Sequence, residues 1–91
     1  MNVRSVDPRD VGWEIDRPSY RVHFHDPTGT SYEYEVSDAD AIEVLDWAET
    51  RRAGRTYALY VCVPCGDLGL VRLLGTDPNK ARAQTRTTAL D

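Results

Sequence analysis

The sequence predicts a small α+β domain: one antiparallel sheet of about five strands in the order β-β-β-α-β-β, with a single helix on one face. Three observations carry this expectation. Tyr20–His25 and Ser31–Val36 alternate apolar and polar residues on either side of Asp26-Pro27-Thr28-Gly29. In that turn Pro presets φ and Gly accepts a positive φ. Apolar residues then recur at helical spacing through Ala41, Ile42, Val44, Leu45 and Ala48. Finally, residues 56–74 form the longest apolar run, punctuated once by Cys65-Gly66-Asp67, which reads as a second hairpin.

With 91 residues and 10.3 kDa, the chain is expected to form one domain. Residues 1–10 are polar, carry the turn signal Asp7-Pro8 and read as a loose leader. The domain is expected to span residues 11–76. In residues 11–16, Val11, Trp13 and Ile15 alternate with Glu14 and Asp16, which predicts a first strand, ended by Arg17-Pro18-Ser19. The next strand sets Tyr20, Val22 and Phe24 inward and Arg21, His23 and His25 toward water. Its return partner sets Tyr32, Tyr34 and Val36 inward and Glu33 and Glu35 outward, so the two wet faces are complementary in charge.

Ser37-x-x-Asp40 resembles a capping box, and Asp38 and Asp40 suit a helix N-terminus. Trp47 lies near the edge of the apolar stripe, while Glu43, Asp46 and Glu49 lie outside its centre. Arg51 and Arg52 fit a last turn, and Gly54 a left-handed stop. In the second hairpin, a two-residue turn at Gly66-Asp67 would pair Cys65 with Leu68 and Val61 with Arg72. Leu59, Val61, Val63 and Leu70 then face the helix. Tyr60, Cys62, Val71 and Leu73 face a second cover, supplied by leader, tail or another subunit. Residues 77–91 read as a polar tail: Asp77-Pro78 could cap a short helix through Gln84, and residues 84–88 read as disordered.

Composition excludes some function classes. A net charge of −4 argues against nonspecific nucleic-acid and anionic-membrane binding. The exposed residues beside the aromatics are mainly acids, which disfavours a base-stacking platform. No stretch approaches the roughly 18 apolar residues of a membrane span. The first residues lack a signal-peptide core, so a cytoplasmic chain with reduced thiols is expected.

The candidate metal ligands are Cys62, Cys65, His23 and His25. Cys-x-x-Cys at a tight turn can aim two sulfurs at one ion, and His-x-His on a strand presents two imidazoles on one side. Together they would make a tetrahedral zinc set for a small core. A redox role is disfavoured, because Cys62-Val63-Pro64-Cys65 leads into a strand and not a helix N-terminus. No spacing joins histidine, thiol and carboxylate into a catalytic triad or a phosphate loop, so no enzyme is expected.

The leading functional expectation is a protein-interaction or regulatory module. Eight acids between residues 26 and 49, with no Lys or Arg among them, would form an acidic surface for a basic partner, in the manner of an immunity protein or inhibitor. Glu43, Asp46, Trp47, Glu49 and Tyr60 are its candidate contact residues, the two aromatics being the expected exposed anchors. The two-sided apolar hairpin points to self-association as a homodimer. The alternative is a zinc-stabilised domain.

Overall fold

Among the described residues four strands and one α-helix form, in the order β1 (Tyr20–His25), β2 (Ser31–Val36), α1 (Ala41–Arg51), β3 (Thr56–Cys65) and β4 (Asp67–Leu74), after a 3-10 turn at Pro8–Asp10. This computed structural model describes residues 1–76 and Pro78, and the backbone alone of Cys65. The expected short helix and disordered end within residues 77–91 lie outside the described residues.

The sheet is antiparallel in the order β2-β1-β3-β4. β2 and β3 therefore flank β1 and run parallel to each other, and α1 is the crossover that joins them. β1 and β2 occupy the residues that alternation assigns them. Asp26 fixes their turn: its Oδ1 accepts from the backbone N–H groups of Thr28 and Thr30 at 3.0 Å each and from the Thr28 hydroxyl at 2.6 Å. These bonds hold the Asp26 carboxyl below its usual pKa, the Thr28 hydroxyl contributing most.

The sheet has four strands, which corrects the expectation of five. Residues 11–16 alternate yet pair with no strand among the described residues, and Trp13 stays 66% exposed. The ladder explains this. The Cys62 N–H donates to the Ser19 carbonyl at 2.9 Å, in line with Tyr20 opposite Val61. Continuing that register sets residue 16 level with Cys65, where β3 ends. Residues upstream of Asp16 have run past the end of their neighbour.

The helix starts later than the Ser37 signal predicts. Asp38 has φ 57, a left-handed conformation that a right-handed helix cannot contain. Asp40 is the cap: its carboxylate accepts from the Glu43 N–H at 2.8 Å, and the Glu43 carboxylate accepts from the Asp40 N–H at 3.0 Å. At the far end Ala53 and Gly54 have φ of 50 and 80, and the Arg52 carbonyl accepts from the Arg55 N–H.

One face of α1 closes the core. Val22, Phe24, Val44 and Ala48 are fully buried, with Tyr20 and Leu59 nearly so. Burying each of Val22, Phe24, Val44 and Leu59 stabilises the fold by about 1.5–3 kcal/mol. Phe24 sits at the centre, its ring centroid 5.8 Å from those of Tyr34, Trp47 and Tyr57. The Arg55 guanidinium covers it at 4.4 Å. Ile42 departs from the predicted stripe. At 100° per residue it points about 160° away from Val44, and it is exposed.

The β3–β4 register is also a correction. A single residue, Gly66 with φ 77, separates Cys65 from its partner Asp67, so Val61 faces Val71 and Tyr60 faces Arg72. This is one residue out of step with a two-residue turn, and a slip of one exchanges the two faces of a strand. Leu70 and Arg72 therefore lie on the face away from α1, and Val71 lies on the helix face. An irregularity at Leu59/Tyr60 restores Leu59 opposite Leu74.

Candidate functional site

Two places could carry function: the sheet face away from α1, and the outer strand β4. Cross-strand register builds the first. Glu35, Arg21, Tyr60 and Arg72 form one row across the four strands, and Glu33, His23 and Ala58 form the next. Arg21 Nε lies 3.7 Å from Glu35 Oε1, and His23 Nε2 lies 3.4 Å from Glu33 Oε1.

This face is drier than alternation predicts. His23, His25, Ala58, Tyr60 and Cys62 are all buried. They sit on β1 and β3, the two inner strands, where neighbours on both sides shield them. Tyr60 is only 3% exposed and packs its ring 4.7 Å from that of His23, so it is no surface anchor. Trp47 is half-buried against Tyr34 at 5.5 Å and Phe24 at 5.8 Å, and serves the core. Both aromatics were expected to be exposed, and both are packed because the stripe and the sheet are each wider than their patterns suggest.

Of the metal-ligand candidates, His23, His25 and Cys62 share this face without converging. Ala58 is opposite His23, and Cys62 lies four residues farther along β3, about 13 Å at the rise of a strand. His25 lies farther still, opposite Thr56. No group of three or more His, Cys, Asp or Glu is gathered for an ion among the described residues. The side chain of Cys65 is not among them.

The Cys62 thiol instead donates to Glu35 Oε1 at 3.9 Å, at the floor of a cleft of about 290 Å³ that Ile15, Pro18, Pro64 and Leu68 also line. Burial pushes this thiol's pKa up, and the Glu35 charge pushes it the same way. A protonated thiol is a poor nucleophile and a poor ligand.

The acids do not merge into one band. The sheet separates Glu33 and Glu35 from Glu43, Asp46 and Glu49 on α1. Most are committed locally: Asp26 to its turn, Asp40 and Glu43 to the cap, and Asp38 to Arg17 at 2.8 Å. Glu49 accepts from the Tyr57 hydroxyl at 2.9 Å and pairs with Arg52 at 3.5 Å.

The second place is β4, an eight-residue strand at the edge of the sheet. Helix α1 does not reach it. One flank of α1 touches β2 through Trp47 and Tyr34, and the other stops at β3 through Glu49 and Tyr57. Val71 and Leu74, on the helix face beyond β3, are left 50% and 47% exposed, and Leu68 and Leu73 are as open. Sequence reasoning reaches this hairpin through its uncovered Val71 and Leu73 but does not place β4 at the edge of the sheet, because strand order is not written in the alternation. The signal that could have found it is that the chain offers a single strong helix: at about 10–12 Å in diameter it covers two or three strands spaced about 4.8 Å apart.

No known protein-family model matches the chain, and neither a curated protein nor a solved structure matches it. Among the described residues no helix is long and apolar enough to cross a membrane.

Proposed function

We propose that this chain is a non-enzymatic interaction module whose contact surface is the outer edge of β4, and that its partner is a second copy. One observation carries the reading. Edge strands in soluble proteins are blunted by charge, Pro or a covering element, because their unpaired N–H and C=O groups template further strands. β4 has eight residues, and four of its side chains (Leu68, Val71, Leu73 and Leu74) are apolar and about half exposed. Its charges are Asp67 at one end and Arg72. A strand added there gains main-chain hydrogen bonds and buries those side chains together.

The acids enter this reading as solubilising charge, since caps, turns and ion pairs engage most of them. The test is sedimentation velocity from 1 to about 200 µM, a range that brackets the micromolar affinity of small interfaces. The wild-type chain should pass from monomer to dimer, and Val71→Lys/Leu73→Lys should stay monomeric. A wild-type chain that is monomeric throughout defeats the proposal.

A further inference from the structure

We infer that residues 11–16 are a donor strand that adds antiparallel to β4 of a second copy, each copy giving one strand and accepting one. This rests on the reading of β4 as a docking edge and names what docks there.

The donor side is visible in the chain. Val11, Trp13 and Ile15 repeat with the period of a strand, yet the segment pairs with nothing in its own sheet. Val11 and Trp13 are exposed, while Ile15 and Leu68 line the same cleft, so the segment already passes the start of β4. The acceptor side is the edge of β4, which no strand among the described residues covers.

Charge and apolar matching together select the register. Arg72 makes no ion pair among the described residues, and neither do Glu14 and Asp16. Setting Glu14 opposite Arg72 places Trp13 against Leu73 and Ile15 against Val71, with Asp16 diagonal to Arg72. In that register Ile15 lies on the helix face, over the strip that α1 leaves uncovered.

Geometry selects a second copy over the chain's own segment. Ser19 is tied to Cys62 on β3. From residue 16 to Ser19 the chain spans at most about 11 Å. The outer side of β4 lies three strand spacings, about 14 Å, from β1. Residue 16 of the same chain cannot sit opposite Leu70 while Ser19 stays in the ladder. Residue 16 of another copy can, and a two-fold axis makes the exchange reciprocal. The period-2 pattern at the start of the domain would then describe a real fifth strand, completed between chains.

The experiment is a mixing test on full-length variants. Trp13→Glu/Ile15→Glu spoils the donor and keeps the acceptor, and Val71→Lys/Leu73→Lys does the reverse. Each should be monomeric alone at concentrations where the wild type is dimeric. Mixed, they should form a heterodimer with one intact strand pair, read by native mass spectrometry. A charge exchange checks the register: Glu14→Arg or Arg72→Glu should each weaken the dimer about tenfold, and the combined variant should regain the loss. If the donor variant stays dimeric while the β4 variant does not, or if mixing two monomeric variants gives no heterodimer, β4 pairs with something else and this inference falls while the proposed function stands. If the wild type is monomeric throughout, both fall.

Discussion

Phe24 and Trp13 occupy equivalent places in the sequence, each an aromatic at the inward phase of an alternating segment, and the structure assigns them opposite weights. Phe24 is fully buried, with three aromatic rings and one guanidinium against it. Phe24→Ala removes that transfer energy and leaves a cavity, for a cost of about 3–5 kcal/mol. At about 0.05–0.15 kcal/mol per residue, the whole domain holds roughly 5–14 kcal/mol, so the variant loses about a fifth or more of its stability. The melting temperature should fall by at least about 12 °C, at roughly 4 °C or more per kcal/mol for a domain this small. Trp13, two-thirds exposed, should cost no more than about 0.5 kcal/mol on truncation to Ala in the dilute monomer. Urea unfolding followed by circular dichroism at low micromolar concentration gives both values. Equal losses would refute the argument, because Trp13 would then be a core residue of a fifth strand within the chain.

Gly75 has φ 81, and a Cβ there would run into the Tyr57 carbonyl oxygen and lie 2.9 Å from the Ala58 Cα. Gly75→Ala should therefore cost about 1–3 kcal/mol in chemical unfolding, whereas Gly12→Ala, which meets nothing within 4 Å, should be near neutral. Tyr57 titrates above its ordinary 10.0, first because of burial and then because its hydroxyl donates to Glu49. A raised folded pKa means that the neutral phenol's contribution is fully present below the unfolded pKa and disappears as pH climbs through the folded value. Wild type should thus lose its stability advantage over Tyr57→Phe above about pH 10, and parallel melting curves from pH 8 to 11 would contradict this. Cys62 in a Cys65→Ser background should alkylate at neutral pH at least about tenfold more slowly than free cysteine. Protein purified without added metal should melt unchanged in chelator, and stoichiometric zinc on elemental analysis would overturn the separation of Cys62 from the histidines.

Local rules made β1, β2 and the end of α1 legible, because a turn held by one aspartate and a left-handed Gly54 act over a few residues. The start of α1 was ambiguous for a definable reason. Ser37 and Asp40 both offer a capping side chain, and only the second has Glu43 three residues on to complete the box. The faces of β4 could not be read from composition. A turn of one residue in place of two moved Arg72 to the far side of the sheet, and nothing in Cys65-Gly66-Asp67 distinguishes the two. The burial of His23, His25 and Tyr60 depends on their strands lying inside the sheet, which is a property of strand order. The same dependence decides how far β4 is covered: the described residues leave it open because it is outermost, not because its residues are unusual.

The strand order also divides the molecule in time. β1 and β2 are joined by a five-residue turn, and β3 and β4 by Gly66 alone, so each hairpin closes a very short loop. The one distant pairing is β1 with β3, in which Phe24 meets Tyr57 across the whole of α1. Loop closure makes that seam the step with the largest entropic barrier. Substitutions along it, at Val22 or Leu59, will slow folding, while those on β4 will mainly hasten unfolding. Two hairpins that assembled early and joined late would leave β4 open throughout folding, so the edge proposed above as the contact surface would be offered to neighbouring chains before as well as after the native state forms.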